Sequence, residues 1–317
     1  MNNFKTRLCR IVVIDVALAL LILLGILFSA RSSADRAMRY VLLANTEQVS
    51  TVIIDTDSRL ELRRTQDAWI LLREGARLPA DGARVEAFLK AVSSVTRLEP
   101  VARDKASWAK LGLEGESART ISLLDDKGTL LSEFTVGNYA QSPGLVYMAP
   151  SGGSAAYAAA SGFASYAMGT PASWLNLSVW SNAPSLETVQ ELVCSGTIIN
   201  TDGSIRQFDY TVSRAGSGWI HDGVALDSSR VEAAIRSLAA LRGDDYLSPE
   251  EPRGQSTLRM QLRLGNGRSL SLDIEEPRTD GRYPVLSSQR DARLYLPSWA
   301  VRESFKTLEE LMPQPSP

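Results

Sequence analysis

Few residues of this chain have the types and spacing that catalysis requires. The chain has one histidine, His221, which directly precedes Asp222. The pair could serve as acid and base, but neighbouring side chains in a turn generally point apart, and we interpret His221 as a solvent-exposed loop histidine. A Ser-His-Asp triad would have to use this histidine, and no serine lies in a Gly-x-Ser-x-Gly elbow. No P-loop or dinucleotide-binding fingerprint is present.

The cysteines give no disulfide framework and no metal site. Cys9 precedes the apolar N-terminal segment, whereas Cys194 lies far beyond it in the run Leu192-Val193-Cys194. We interpret Cys194 as a buried, inert thiol. One histidine and two separated cysteines exclude a His/Cys zinc site. The sequence identifies no metal-binding and no cofactor-binding residue.

Carboxylates occur in adjacent pairs, and a hydrolase with two catalytic carboxylates would need two of them to converge across a cleft. The pairs are Asp125-Asp126, Asp244-Asp245, Glu250-Glu251 and Glu275-Glu276. We interpret them as residues of turns and solvated edges. The adhesion-like tripeptide Arg242-Gly243-Asp244 is a chance-level match that a glycine at a helix C-terminus explains. No catalytic residue is therefore assigned.

The elements that would position such residues occur twice. Arg84-Val85-Glu86-Ala87 and Arg230-Val231-Glu232-Ala233 are the same four residues, and Asp81 and Asp227 precede them at the spacing of a helix N-cap. Both copies predict an amphipathic helix, because apolar residues recur with helical spacing. These residues are Val85, Phe88, Leu89, Val92 and Val95 in the first copy and Val231, Ala234, Ile235, Leu238 and Leu241 in the second. Strands that contain Trp69 and Trp219 come before the two helices.

After each helix the pattern predicts antiparallel hairpins, because turn residues separate short apolar runs. The predicted strand pairs are residues 120–124 with 130–134, 146–148 with 155–157, 262–264 with 270–272, and 283–286 with 293–296. A helical turn is expected at residues 108–112 and a closing helix at residues 299–311. Short antiparallel strands plus one amphipathic helix in each repeat predict an α+β fold.

The N-terminus predicts membrane attachment. Residues 11–28 are apolar or small apart from Asp15, and Lys5, Arg7 and Arg10 precede them. Residues 11–30 could cross the roughly 30 Å hydrocarbon core of a bilayer, and the basic residues would keep the N-terminus in the cytoplasm. A cleavable signal peptide, with Ser32-Ser33-Ala34 as its cleavage site, is the alternative.

The resulting plan has seven parts. They are a cytoplasmic N-terminus (1–10), a transmembrane anchor (11–30), a juxtamembrane spacer (31–48), a first repeat (49–169), a linker (170–184), a second repeat (185–311) and a tail (312–317). The linker contains Trp174 and Trp180, so we expect it to dock between the domains. The net charge of −2 and the scattered basic residues indicate no nucleic-acid partner.

The repeated pattern of a Trp strand and an Asp-led helix, followed in the first copy by Gly112-Leu113, Gly137 and Val146-Tyr147, resembles the bacterial DUF4340 family. The second copy lacks the Gly-Leu phrase. The resemblance implies that these positions maintain the fold. It also implies a membrane-anchored extracytoplasmic partner of an ABC-type export system, similar to gliding-motility auxiliary subunits.

Two functions follow as expectations. The first is a non-enzymatic accessory or scaffold subunit, single-pass in the bacterial inner membrane, with a periplasmic bulk that contacts an ABC-type complex. The alternative is a periplasmic envelope enzyme, such as a carboxylate-dependent glycan hydrolase with its site between the repeats. A deep cleft lined by carboxylates would favour the enzyme, and a flat apolar patch would favour the subunit.

Overall fold

The computed structural model describes residues 38–39, 42–56, 59–66, 68–73, 75–200 and 202–314. The predicted cytoplasmic N-terminus at 1–10 and the predicted anchor at 11–30 lie outside these residues, as do half of the spacer and the last three residues of the tail. Within the described ranges, no helix is long and apolar enough to cross a bilayer.

Strands make up most of the regular structure. The first ten are β1 (Met38–Arg39), β2 (Thr51–Asp55), β3 (Arg59–Arg64), β4 (Trp69–Arg73), β5 (Ala76–Pro79), β6 (Arg97–Ala102), β7 (Arg119–Leu124), β8 (Leu130–Tyr139), β9 (Leu145–Pro150) and β10 (Ala156–Ala160). The next nine are β11 (Val189–Ile199), β12 (Ile205–Ala215), β13 (Gly218–His221), β14 (Val224–Ala225), β15 (Asp245–Tyr246), β16 (Ser256–Leu264), β17 (Ser269–Glu275), β18 (Tyr283–Ser287) and β19 (Leu294–Leu296).

The helices are fewer and mostly short. They are α1 (Gly82–Ser93), α2 (Trp108–Leu111), α3 (Ala164–Ala167), α4 (Ser228–Ala239), α5 (Ser298–Ser304) and α6 (Leu308–Leu311). Single 3₁₀ turns occur at Thr46–Gln48, Lys105–Ser107, Ser161–Phe163, Pro171–Trp174 and Leu186–Thr188.

The predicted fold class, a transmembrane helix followed by two α+β domains, is wrong. The described residues form a ten-stranded sheet and a nine-stranded sheet, and antiparallel pairs such as β7–β8 and β16–β17 build them. The fold is therefore mostly β. The prediction gave too much weight to the two long helices, because their periodicity is easier to read in a sequence than that of many short strands.

Both sheets follow the same strand order. The first reads β5-β4-β3-β2-β7-β8-β9-β10-β6-β1, and the second reads β14-β13-β12-β11-β16-β17-β18-β19-β15. Nine consecutive positions correspond, and only β1 has no counterpart. Contacts divide the chain into two units, the first with residues up to Leu72 and Gly82–Thr170, the second with Arg73–Asp81 and the residues from Pro171 onward.

The apolar stripes predicted for the two long helices are confirmed. In α1 and the turn after it, Val85, Phe88, Leu89, Val92 and Val95 are all buried, and in and after α4 so are Val231, Ala234, Ile235, Leu238 and Leu241. Asp227 caps α4 as expected, because its side chain accepts hydrogen bonds from the backbone N–H groups of Ser229 and Arg230 at 3.0 and 3.2 Å.

The equivalent tryptophans have equivalent surroundings. Trp69 and Trp219 are buried in β4 and β13, and the guanidinium carbons of Arg64 and Arg214 lie 4.9 and 4.7 Å from their ring centroids. Such contacts stabilise a partly exposed arginine by about 0.5–1 kcal/mol. The predicted hairpins after each helix are confirmed as β7–β8, β9–β10, β16–β17 and β18–β19.

Two details differ from the prediction or go beyond it. The closing helix is not continuous, because α5 ends at Ser304 and α6 begins at Leu308. In the linker, Trp174 and Trp180 are both buried, and the Trp180 indole N–H donates to the carbonyl of Leu238 at 2.7 Å. Docking of the linker between domains stays a prediction.

Candidate functional site

A group of ionisable side chains surrounds Glu275 at the end of β17. The Glu275 side chain is 9% exposed and accepts hydrogen bonds from Arg293 Nη1 at 3.0 Å and Arg278 Nη2 at 3.1 Å. It also accepts the backbone N–H of Gly254 at 2.8 Å. A buried carboxylate needs such partners, because transfer of an unpaired carboxylate from water into the protein interior is strongly unfavourable.

Glu251 belongs to the same group. Its carboxylate accepts hydrogen bonds from Arg278 Nε at 3.0 Å and from the Tyr295 hydroxyl at 2.6 Å. The hydrogen bond from Tyr295 lowers the pKa of Glu251, and Arg278 acts in the same direction. We call Glu251, Glu275, Arg278, Arg293 and Tyr295 the arginine–glutamate cluster.

The cluster fixes the connection between β15 and β16. Besides Glu275, Arg293 donates to the backbone carbonyls of Glu251 and Pro252. The carboxylates of the cluster thus act as hydrogen-bond acceptors for cations. A glycosidase acid, in contrast, must be kept protonated by an environment that raises its pKa, so this arrangement favours a structural role.

The interpretation of the carboxylate pairs as turn and solvated-edge residues holds in part. Asp125 confirms it, because its side chain accepts the backbone N–H groups of Lys127 and Thr129 in the β7–β8 turn. The hydrogen bond from Thr129 lowers the pKa of Asp125. For Glu275 the interpretation is wrong, because its side chain is buried and strand pairing brings the guanidinium of Arg293 onto it.

Asp244 and Asp245 also do more than mark a turn. Asp245 accepts two hydrogen bonds from Arg73 Nη1, at 2.8 and 3.1 Å. Partial burial raises the pKa of Asp244, while Arg282 opposes this effect. Arg73, Asp245, Ser248 and Glu250 line a cavity of about 740 Å³. Asp245 is already paired with Arg73, so the cavity does not present Asp245 and Glu250 as two free carboxylates.

His221 lies at the end of β13, and its surroundings differ from the prediction. Its ring Nδ1 is 2.8 Å from the carbonyl of Thr211, and Nε2 is 3.5 Å from the carboxylate of Asp222. The side chains therefore approach each other instead of pointing apart. Asp222 has a positive φ of 47°, a conformation that Asp tolerates, and this turn brings its carboxylate back towards the ring. The His221 side chain is 21% exposed.

Cys194 is buried, as the sequence predicted. Burial raises the pKa of its thiol to about 12, despite an opposing hydrogen bond with Tyr210. The thiolate is the reactive form of cysteine, and at neutral pH this thiol stays protonated. Cys194 is therefore a core residue of β11, paired across the sheet with Tyr210 and Met260.

The explanation of Gly243 as a helix C-terminal glycine is wrong, because α4 ends at Ala239. The backbone N–H of Gly243 donates to the carbonyl of Leu177 at 2.8 Å. A Cβ at this position would lie 2.7 Å from the carbonyl oxygen of Tyr295. Close backbone approach therefore requires a glycine here.

The residues that carried the family resemblance meet in the first unit. Gly112 ends α2 with a φ of 71°, and a Cβ on Gly137 would overlap the carbonyl oxygen of Leu111. Leu113 forms a small apolar cluster with Ala149 and Ala156. These positions hold the connection between β6 and β7 against the sheet, which is a role in folding.

A family profile described as "Domain of unknown function (DUF4340)" matches residues 69–259. The chain belongs to this family. The DUF4340 match begins in β4 and ends in β16, so one match includes parts of both repeats. No curated protein matches the chain. No solved structure matches it either.

Sequence reasoning missed Arg278, Arg293 and Tyr295 as partners of the paired glutamates. Arg293 and Glu275 are far apart in the chain and meet only because β17, β18 and β19 are neighbours. In the part of the chain that the structure describes, no three histidine, cysteine, aspartate or glutamate side chains lie close enough together to hold a metal ion.

Proposed function

We propose that this DUF4340 protein is a non-enzymatic extracytoplasmic accessory or scaffold subunit of an ABC-type export or envelope-associated complex. It is attached to the bacterial inner membrane by its N-terminal segment, with the N-terminus in the cytoplasm and the bulk of the chain in the periplasm. Its partners are the bilayer and a protein of the membrane complex.

The observation that supports this proposal is that residues considered as catalytic candidates in the sequence have structural roles. Glu251 and Glu275 accept hydrogen bonds from arginines, and Cys194 is a buried thiol with a raised pKa. Each of them maintains the fold. A chain whose reactive groups serve its scaffold is suited to binding, where surface shape matters more than one reactive atom.

The test compares two kinds of variant in the producing bacterium, at matched expression. His221→Ala and Asp222→Ala should leave the cellular phenotype nearly intact. Replacing residues 11–30 with a cleavable signal should abolish it, because a tethered subunit meets its membrane partner at a high effective concentration. A tagged full-length chain should also copurify with an ABC-type permease or ATPase.

The reverse ranking would contradict the proposal. If the released chain retained function while His221→Ala or Asp222→Ala lost it, the protein would act as an envelope enzyme on a diffusible or wall-bound substrate. A reporter that is active only outside the cytoplasm, fused after Pro317, tests the topology separately. Lack of reporter activity with full expression would overturn the periplasmic assignment.

A further inference from the structure

The first sheet carries a polar groove that the proposed function does not use. Its volume is about 570 Å³, within the roughly 300–1,000 Å³ of small-molecule sites. The lining comes from β7, β8 and β9, from the turn at residues 151–154, and from Lys105 and Trp108. We name it the hydroxyl groove, after the side chains of its floor.

Hydroxyl and carboxylate oxygens form that floor. The hydroxyl oxygens of Thr120 and Thr135 are 3.2 Å apart. Glu133 accepts hydrogen bonds from Ser122 Oγ at 2.9 Å and from Ser151 Oγ at 2.6 Å. A hydroxyl has one donor and two acceptor sites, and a carboxylate has about four acceptor sites. The floor therefore keeps acceptor sites available after its internal bonds are made.

One wall of the groove is aromatic. The Trp108 indole N–H donates to the carbonyl of Ser154 at 3.0 Å, which fixes the ring beside the turn. Trp108 also packs against the apolar cluster of Leu113, Ala149 and Ala156. Lys105 Nζ lies 4.7 Å from the ring centroid and adds a positive charge to the lining of the groove.

The equivalent place in the second sheet is built differently. Thr120 pairs with Thr135 in the β7–β8 ladder, and Arg259 pairs with Asp273 at the corresponding point of β16–β17. Arg259 donates two hydrogen bonds to Asp273, at 2.7 and 3.0 Å. There the two side chains satisfy each other, whereas the first sheet presents hydroxyls to whatever enters the groove.

We propose that the hydroxyl groove binds a short, uncharged saccharide. Sugar hydroxyls donate and accept hydrogen bonds, as do Thr120 and Thr135, and Glu133 can accept from two neighbouring sugar hydroxyls. The apolar face of a pyranose ring complements an indole such as Trp108. One carboxylate and one ammonium group, from Glu133 and Lys105, leave no net charge that would select an ionic ligand.

Isothermal titration of the full-length chain, purified without sugar-headgroup detergents, tests this proposal. The probes are cellotetraose and chitotetraose, which differ by N-acetyl groups. At least one should bind saturably, with a dissociation constant on the order of 0.1–1 mM. Glu133→Gln should weaken binding by roughly tenfold or more, because hydrogen bonds to a charged acceptor are the stronger ones.

Three further variants separate a ligand site from a folding effect. Thr135→Val keeps the size of the side chain but removes a floor hydroxyl, and should also weaken binding. Lys105→Ala removes an exposed side chain and should weaken binding while lowering the melting temperature only slightly, because its contact with Trp108 is at the surface. Glu114→Gln, an exposed carboxylate outside the groove, should bind like the wild type.

Two results would overturn the proposal. One is the absence of saturable binding of both tetrasaccharides at roughly ten times the expected dissociation constant. The other is binding that Glu133→Gln, Thr135→Val and Lys105→Ala leave unchanged. Neither result bears on membrane attachment or on copurification with a transporter, so the saccharide site and the subunit function can fail separately.

Discussion

The two units hold equivalent connections, each leading into the fifth strand of its sheet, with different kinds of interaction. In the first unit, residues 103–118 link β6 to β7 and pack through small apolar side chains, with Leu113, Ala149 and Ala156 at the centre. In the second unit, residues 247–255 link β15 to β16 and are held by the buried ion pair of Glu275 and Arg293. Identical strand order thus does not require identical chemistry.

Strand register shows that the two solutions occupy equivalent positions. Val136 pairs with Met148 as Ile274 pairs with Val285, so the next residues, Gly137 and Glu275, correspond. The next strand pairs correspond in the same way, because Tyr157 pairs with Met148 as Leu294 pairs with Val285. The residues before them, Ala156 and Arg293, therefore correspond as well.

The difference explains why the second repeat lacks the Gly-Leu phrase. In the first unit the backbone at Leu111 approaches Gly137 so closely that no side chain fits, and Leu113 fills the space over Ala156. In the second unit a carboxylate and a guanidinium fill that space. There Glu275 and Arg293 form hydrogen bonds with backbone groups of residues 251–254. The connection is therefore held without a Gly-Leu phrase.

The largest effect should come from breaking the ion pair on one side. Glu275→Ala leaves Arg293 buried without its carboxylate, and we expect the free energy of unfolding to fall by about 3–5 kcal/mol. Urea unfolding of the full-length chain, followed by tryptophan fluorescence, measures this. Asp273→Ala breaks the exposed pair with Arg259 and, as a matched control, should change the free energy by less than about 1 kcal/mol.

The double variant Glu275→Ala/Arg293→Ala sharpens this test. It gives the second unit small side chains at the positions that correspond to Gly137 and Ala156 in the first. Because neither charge is then left unpaired, the free energy of unfolding should recover part of the Glu275→Ala decrease. Strictly additive losses, or a Glu275→Ala loss no larger than that of Asp273→Ala, would show that the pair is not coupled as the contacts indicate.

A smaller effect should follow from adding one methyl group in the first unit. Gly137→Ala puts a Cβ into the carbonyl oxygen of Leu111, and overpacking of this kind costs about 1–3 kcal/mol. The melting temperature should therefore fall. Gly162→Ala is the control, because a Cβ there meets open space. Equal melting temperatures for the two variants would mean that the connection is not held by close backbone contact.

The smallest effect concerns pH in the second unit. Tyr295 lowers the pKa of Glu251, so this hydrogen bond contributes stability above the ordinary Glu pKa of 4.5, and the contribution is lost as pH falls through the lower folded value. Tyr295→Phe should therefore be less stable than the wild type at neutral pH, and the difference should shrink on acidification below pH 4.5.

Melting curves between neutral and acidic pH measure this difference. Tyr283→Phe is the control, because the Tyr283 hydroxyl donates to the neutral carbonyl of Ile199 at 2.7 Å. Its effect should not depend on pH in this range. A Tyr295→Phe effect that is equally large at all these pH values would exclude a contribution from Glu251 ionisation.

The sequence alone determined the local elements. Helical spacing predicted the buried stripes of α1 and α4, including Phe88 and Ile235, because burial of one helix face requires that periodicity. Asp/Gly-rich and Gly/Asn-rich turns predicted the hairpins, and an apolar neighbourhood predicted the burial of Cys194. Each of these properties depends on residues that are close together in the chain.

Only the tertiary structure decided the strand order and the environment of the ionisable groups. β2 joins β7 and β11 joins β16 across many intervening residues, so the sheets are larger and the fold is more β-rich than the sequence predicted. The packing of successive strands and connections within each sheet puts Arg293 on Glu275 and brings Trp108 to the turn at Ser154, beside the groove threonines. A charge pair or a polar groove depends on which strands become neighbours, and short-range periodicity carries no information about that choice.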